Sequence, residues 1–165
     1  MLRLPIMATL VALLMSTPVV AETRIGVVDL RQALFSSKEA QAFSAKLQQD
    51  FSGEEAKVRE TQEEARALKE RLEQDGAMMN ESERNRLAAQ FQEKVQQFNA
   101  LKQRLDSTVA NRKQSFLEEA RPDVDAAVQE LVDEHDLDMI LPSEAVVYVK
   151  PDMNLTAQLL EKLDR

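Results

Sequence analysis

Apolar residues recur at helical spacing along two long stretches in the middle of the chain. In the first stretch they are three, four or seven positions apart, at Ala40, Phe43, Leu47, Phe51, Val58, Ala65, Leu68 and Leu72. In the second stretch they are at Leu87, Phe91, Val95, Phe98, Leu101, Leu105, Val109 and Phe116. This spacing places one narrow apolar stripe on each helix, so we predict two long helices that bury a single coiled-coil seam and expose charged faces.

The segment between these stretches predicts a sharp turn. Gly76 is expected to end the first helix in a left-handed conformation. Asn80, with Glu83 three residues later, has the pattern of a capping box and is expected to begin the second helix. The sequence therefore predicts an antiparallel helical hairpin over residues 37–121, with its tip near residues 75–80.

The residues that favour β-structure lie at the two ends of the chain. Residues 23–29 predict a first strand, residues 138–141 a second and residues 145–149 a third. Because the strands flank the hairpin, residues 22–36 and 122–165 should meet in one small body. The predicted fold class is α+β and mostly helical, with the hairpin projecting from this body.

Polar residues at the strand ends predict where the remaining helices begin. Asp29, or a residue near it, is expected to start a short helix, and Ser36 or Ser37 to cap the first long helix. Asn154 is expected to cap a final helix that carries leucines on one side.

The small size of the predicted body indicates self-association. Three short strands give a core below what an isolated domain usually needs, and open strand edges invite pairing with other copies. Tyr148 is expected at a sheet face or a subunit boundary, and aspartate in place of Val27 or Ile140 should dissociate the oligomer. The predicted oligomerisation residues are Ile25, Val27, Val28, Ile140, Leu141, Val147, Tyr148 and Val149.

Pro122 interrupts the helical pattern after the second apolar stretch. Proline lacks a backbone N–H and disfavours helical geometry at the preceding residue. Two interpretations are open: a kink or hinge where the hairpin joins the body, or a simple boundary between two helices.

The first 21 residues have the pattern of a secretory signal peptide. A short cationic start is followed by an apolar run that is too short for a membrane anchor, and Val19-Val20-Ala21 offers a cleavage site before Glu22. We therefore predict a secreted protein from which residues 1–21 are removed. Loss of Arg3 takes the net charge from −8 to −9.

Charge and composition exclude several function classes. The acidic balance argues against nucleic-acid binding, which needs a clustered cationic face. His135 is the single imidazole, cysteine is absent, and no glycine-rich phosphate loop or metal-ligand spacing is found. The sequence predicts no enzyme, no cofactor and no metal.

The layout of the chain resembles the Skp (OmpH) family of periplasmic chaperones. After the signal peptide, the segments that carry the resemblance are Ile25-Gly26-Val27-Val28-Asp29-Leu30 with Ala33-Leu34-Phe35, then Asp136 to Leu141, Ala145 to Val149, and Asn154-Leu155-Thr156-Ala157. The resemblance covers the whole mature chain, and its two ends are more specific than the coiled coil between them.

This resemblance implies a periplasmic homotrimer shaped like a jellyfish, with a β body and three hairpins around a cavity. It implies an ATP-independent holdase that keeps unfolded outer-membrane β-barrel proteins from aggregating. The well-studied members are strongly basic, whereas this chain is acidic, so lipopolysaccharide binding is not carried over. Met78 and Met79 at the tip are candidate client contacts because methionine suits promiscuous apolar contact, although the two could also simply pack the hairpin end.

A second hypothesis comes from another class of protein. A structural coiled-coil adaptor of the cell envelope would bind one folded partner. The breadth of clients separates the two, because a holdase should act on several unrelated unfolded barrels.

Overall fold

Two strands from opposite ends of the chain form the only sheet in residues 23–165, the part of the chain that the computed structural model describes. Strand β1 (Ile25–Val28) pairs in parallel with β2 (Met139–Pro142), with Ile25 opposite Met139 and Val28 opposite Pro142. The predicted meeting of the chain ends is confirmed. The predicted signal peptide lies outside the described residues.

Helices make up most of the rest of the fold. They are α1 (Leu30–Ser36), α2 (Lys38–Asp75), α3 (Glu81–His135) and α4 (Thr156–Leu163), with short 3₁₀ helices at Ser143–Ala145 and Pro151–Met153. Helices α2 and α3 form the predicted hairpin. We call residues 37–121 the arm, and residues 23–36 together with 122–165 the body.

Capping residues begin these helices where the sequence predicts. The Asp29 carboxylate accepts the Gln32 N–H at 2.8 Å and begins α1, and the Ser37 hydroxyl accepts the Ala40 N–H at 3.2 Å and begins α2. At α4, however, the prediction is wrong by one residue: the N-cap is Leu155, and the Asn154 side chain before it accepts the N–H of Thr156, the first residue of α4, at 3.1 Å.

The turn at the arm tip combines a confirmed prediction with a wrong one. Asn80 accepts the Glu83 N–H at 2.9 Å and donates its own N–H to the Glu83 carboxylate at 3.3 Å, which completes the predicted capping box. Gly76, however, is right-handed, with φ −57° and ψ −29°. The carbonyl of Asp75 accepts the N–H groups of Met78 and Met79, so the chain keeps its right-handed coil and needs no left-handed residue there.

Pro122 lies inside α3, which runs without interruption from Glu81 to His135. The interpretation as a boundary between two helices is therefore wrong. Buried residues on both sides, Phe116 and Ala120 before the proline and Ala127 and Leu131 after it, hold the helix against the rest of the fold. This packing outweighs the lost hydrogen bond at the proline. A hinge at Pro122 stays a prediction.

The predicted third strand does not form within the single chain. Residues 143–145 are a 3₁₀ helix, and Val146 is extended, with φ −121° and ψ 125°, but unpaired. The free side of β1 is already used, because Asn154 bridges to Val27 and the Leu155 N–H donates to the Val27 carbonyl at 2.9 Å. A run of β-branched residues favours an extended backbone, but it becomes a strand only beside a partner.

The main hydrophobic core lies in the body, where the sheet, α1, α4 and the end of α3 meet. Its buried residues are Val28, Ala33, Ala127, Leu131, Leu155 and Leu159. A smaller cluster at the base of the arm contains Ala40, Phe116 and Ala120. In that cluster the rings of Phe43 and Phe116 stack with centroids 4.4 Å apart.

The seam between α2 and α3 is tightly packed at its ends and loose in its middle. Thr61, Ala65 and Leu87 are buried in the half towards the tip, whereas no residue of α2 is buried between Ala40 and Thr61. A cleft of about 480 Å³ opens in this middle section, beside Gly53. Its apolar lining residues, all half-buried, are Phe51, Val58, Leu101 and Leu105.

Candidate functional site

The segment Val146 to Val149 is the most exposed apolar stretch of the body. The Val147 side chain is fully exposed and that of Tyr148 is 78% exposed. Within the described residues, no backbone hydrogen bond involves residues 147–149. Exposed apolar side chains together with unpaired backbone groups make this segment suited to pairing with another strand.

The other predicted oligomerisation residues are more enclosed. Val27 and Val28 are buried within the single chain, and Ile25, Ile140 and Leu141 are half-buried in the sheet. Val149 is also half-buried. The structure therefore brings β1 and β2 together as predicted and leaves Val147 and Tyr148 pointing outwards from the chain.

At the arm tip, the two predicted contact residues differ in exposure. Met78 is 82% exposed, whereas Met79 is half-buried. Between Lys69 and Arg86 four basic residues stand against five acidic ones, so the tip has almost no net charge. Met78 alone presents a large apolar side chain to solvent there.

An apolar depression at the base of the arm was missed by the sequence reasoning. Its volume is about 350 Å³, and it lies between the beginning of α2 and the second half of α3. Phe35 is 58% exposed and Leu117 is 44% exposed at this place. We call it the root groove, and it is lined by Phe35, Ala40, Phe43, Ser44, Leu47, Lys113, Phe116 and Leu117.

Negative charge is concentrated in the body and not in the arm. The body carries twelve acidic and five basic residues, whereas the arm carries sixteen acidic and fifteen basic residues. Within the arm, the half nearest the body, residues 37–53 and 94–121, has eight basic and five acidic residues. The half of the arm that contains most of the root groove therefore carries a small net positive charge, although the chain as a whole is acidic.

Ion pairs fasten α4 to the end of α3. The Lys162 ammonium donates to the Glu134 carboxylate at 2.6 Å and to that of Glu130 at 3.3 Å. The hydrogen bond to Glu134 raises the pKa of Lys162, and the same bond lowers the pKa of Glu134. His135 is also engaged, since its Nε2 lies 2.5 Å from the side-chain oxygen of Gln158. The single imidazole thus has a structural contact.

Residues 23–165 contain neither a metal-binding cluster nor a membrane-spanning helix. No group of three or more His, Cys, Asp or Glu residues is placed to hold a metal ion in this part of the chain. No helix of the same residues is both long and apolar enough to cross a membrane.

A long helical hairpin on a small body built from both chain ends defines a class of arm-bearing, mostly helical α+β proteins. The particular family is shown by comparison with known proteins. The family model described as "Outer membrane protein (OmpH-like)" matches residues 24–163, and the chain belongs to this family.

Relatives with assigned names are similar over nearly their whole length. The Skp-like protein of Pseudomonas aeruginosa is 27% identical over 145 residues, which cover 88% of this chain and 86% of that protein. The chaperone protein Skp of Vibrio cholerae is 21% identical over 150 residues, covering 91% and 89%. A crystal structure of an OmpH-like protein from Caulobacter crescentus shares the fold, with a TM-score of 0.63 at 19% identity over 87% of this chain and 85% of that one.

Proposed function

We propose that the protein is an ATP-independent holdase of the periplasm, which binds unfolded outer-membrane β-barrel proteins and prevents their aggregation. The observation that carries this proposal is the family match over residues 24–163. Relatives named as chaperones are similar along both the body and the arm.

The dimensions and surface of the arm support this role. Helix α2 has 38 residues, so it is about 57 Å long at about 1.5 Å per residue. An unfolded barrel protein exposes alternating apolar residues that aggregate in water. An arm with a half-exposed apolar stripe offers many weak contacts to such a chain, and these contacts add through high effective concentration when several arms surround it.

The proposed assembly is a homotrimer, with the number of copies taken from the family resemblance. Its contacts include the segment Val146 to Val149, which adds to a strand of a neighbouring copy. The trimer acts in the periplasm after removal of residues 1–21. Unfolded outer-membrane proteins are its proposed partners. The proposal includes no nucleic acid, no lipopolysaccharide and no cofactor.

Dilution of a urea-unfolded barrel protein into buffer tests the proposal. Light scattering is followed with and without residues 22–165, and the mass of the protein is measured by chromatography with light scattering. We expect suppressed scattering for several unrelated barrels at about one trimer per client. Unchanged scattering for every barrel would reject the holdase, and capture of a single folded partner would instead favour the adaptor.

A further inference from the structure

The root groove combines the size of a ligand pocket with a mostly apolar lining. Its volume of about 350 Å³ falls within the range of roughly 300–1,000 Å³ that is usual for ligand pockets. Its floor includes the stacked rings of Phe43 and Phe116, and Phe116 is itself buried. Phe35 and Leu117 at its edge remain substantially exposed. The groove is therefore a preformed apolar site with an accessible rim.

Lys113 is the one charged residue among the groove's lining residues. Its neighbours three and four positions away on α3 are Val109, Ala110, Phe116 and Leu117, so no carboxylate is placed to pair with it along the helix. It makes no ion pair with any residue of the described chain, whereas Lys102 on the same helix pairs with Asp106 at 2.6 Å. A lysine held beside aromatic surface without a partner is complementary to an external anion.

We propose that the root groove binds an extended client segment that inserts an aromatic or aliphatic side chain against Phe43 and Phe116 and places a carboxylate beside Lys113. This inference rests on the proposed function and names the part of the arm that holds the client. The net positive charge of the half of the arm nearest the body adds to the attraction for an acidic segment. The tip, which is almost neutral, has no comparable excess of positive charge.

The dimensions of the groove favour a client segment over a second copy of this chain. A stable interface between copies buries about 800 Å² on each partner, which is far more surface than a depression for one or two side chains provides. The exposed segment Val146 to Val149 already offers unpaired backbone for self-association. Self-association through that segment does not require the groove.

Two substitutions in the groove and two matched controls test this inference in the full-length mature protein. Leu117→Ser changes the rim of the groove, and Lys113→Gln removes its cation. Leu30→Ser removes a similarly exposed leucine from the body, and Lys69→Gln removes a cation outside the half of the arm nearest the body. Circular dichroism and mass by light scattering establish that each variant keeps the fold and the oligomeric state.

The probe is a fluorescent peptide of alternating apolar and polar residues that carries one Phe beside one Glu. Its affinity is compared with that of the same peptide carrying Gln in place of Glu. We expect Leu117→Ser to weaken binding about tenfold because apolar contact is lost. The wild type is expected to bind the Glu peptide about threefold more tightly than the Gln peptide, and Lys113→Gln should abolish this preference. Both control variants should bind like the wild type.

Several results would overturn the inference. They are absence of peptide binding to the wild type, equal losses in Leu117→Ser and Leu30→Ser, and dissociation of the oligomer by a groove variant, which would make the groove a subunit contact. Peptide binding is measured separately from barrel aggregation. If the wild type suppresses aggregation and the groove variants bind the peptide normally, only the inference about the groove is rejected. If the wild type does not suppress aggregation, the proposed function is rejected.

Discussion

Lys162 shows how one buried cation fixes the end of the chain. Its side chain is only 6% exposed, so its ammonium group requires partners inside the protein. Glu130 and Glu134 provide them from the last turns of α3. Because Lys162 belongs to α4, the ion pairs join the C-terminal helix to the helix that leads into the arm.

This arrangement predicts a specific dependence of stability on pH. The pKa of Glu134 in the folded protein lies below its ordinary value of 4.5. Its stabilising contribution is therefore complete above about pH 4.5 and is lost as the pH falls through the lowered pKa. We expect Lys162→Met to lower the Tm at pH 7 and to reduce the further loss of Tm between pH 5 and pH 3.

The control for this prediction is Lys69→Met, because Lys69 pairs with Glu73 on the exposed surface of α2 at 3.7 Å. Thermal unfolding followed by circular dichroism should give this variant the acid dependence of the wild type. Identical acid dependence in both variants would contradict a special role for the Lys162 pairs.

At the scale of elements, two glycines have opposite roles in their helix and strand. Gly26 in β1 is tightly enclosed: an added Cβ would lie 2.8 Å from Leu155 and 2.9 Å from Leu137. Gly53 in α2 is open, since an added Cβ would meet nothing within 4 Å. The first glycine allows close packing, whereas the second only weakens its helix in the section where the seam is loose.

Alanine at the two positions should therefore change stability in opposite directions. Gly53→Ala is expected to raise the free energy of unfolding by up to about 1 kcal/mol, because alanine is the better helix former. Gly26→Ala is expected to lower it by about 1–3 kcal/mol through overpacking. Urea unfolding measures both variants, and a stabilised Gly26→Ala would show that the packing around β1 is looser than described.

Local signals in the sequence predict the helices and their starting points well. Asp29, Ser37 and Asn80 form their caps through contacts within a few residues, so nearby sequence contains the necessary information. Two of the wrong predictions, the helix boundary at Pro122 and the third strand, concern features that depend on distant residues. Pro122 stays helical because of packing on both sides, and the edge of β1 that faces away from β2 is occupied by Asn154 and Leu155 and not by residues 145–149.

The root groove could not be derived from periodicity alone. Phe43 and Phe116 belong to the predicted stripes, but Phe35 comes from a short helix whose placement depends on the tertiary fold. Lys113 lacks acidic residues three or four positions away, but so do Lys38, Lys94, Arg104 and Arg112. The sequence therefore does not single out Lys113, and only its place beside the aromatic rings of the groove does so.

At the scale of the whole molecule, substitutions of buried residues are expected to affect folding, whereas substitutions of exposed residues in the body are expected to affect assembly. Val27 is buried within the single chain, whereas Val147 is exposed. Val147→Asp is expected to dissociate the proposed trimer and to leave a folded helical monomer, because the charge enters a subunit contact. Val27→Asp should destabilise the body itself, since it places a charge in an apolar core.

Light scattering after chromatography measures the mass of each variant, and circular dichroism measures helix content and unfolding. A trimeric Val147→Asp would contradict the assignment of residues 146–149 to the subunit contact. A Val27→Asp variant as stable as the wild type would contradict the placement of Val27 in the core.

The pairing of β1 with β2 also sets an order of folding. Arg24 just before β1 donates its backbone N–H to the carboxylate of Asp138 just before β2, although 114 positions separate the two residues in the chain. Helix formation takes about a microsecond or less, whereas contacts between distant residues form more slowly because the intervening loop must close first. We therefore expect the arm to fold while the body is still open. A chain without residues 136–165 should form the arm but not the sheet of the body, so assembly through the body would have to wait for those residues.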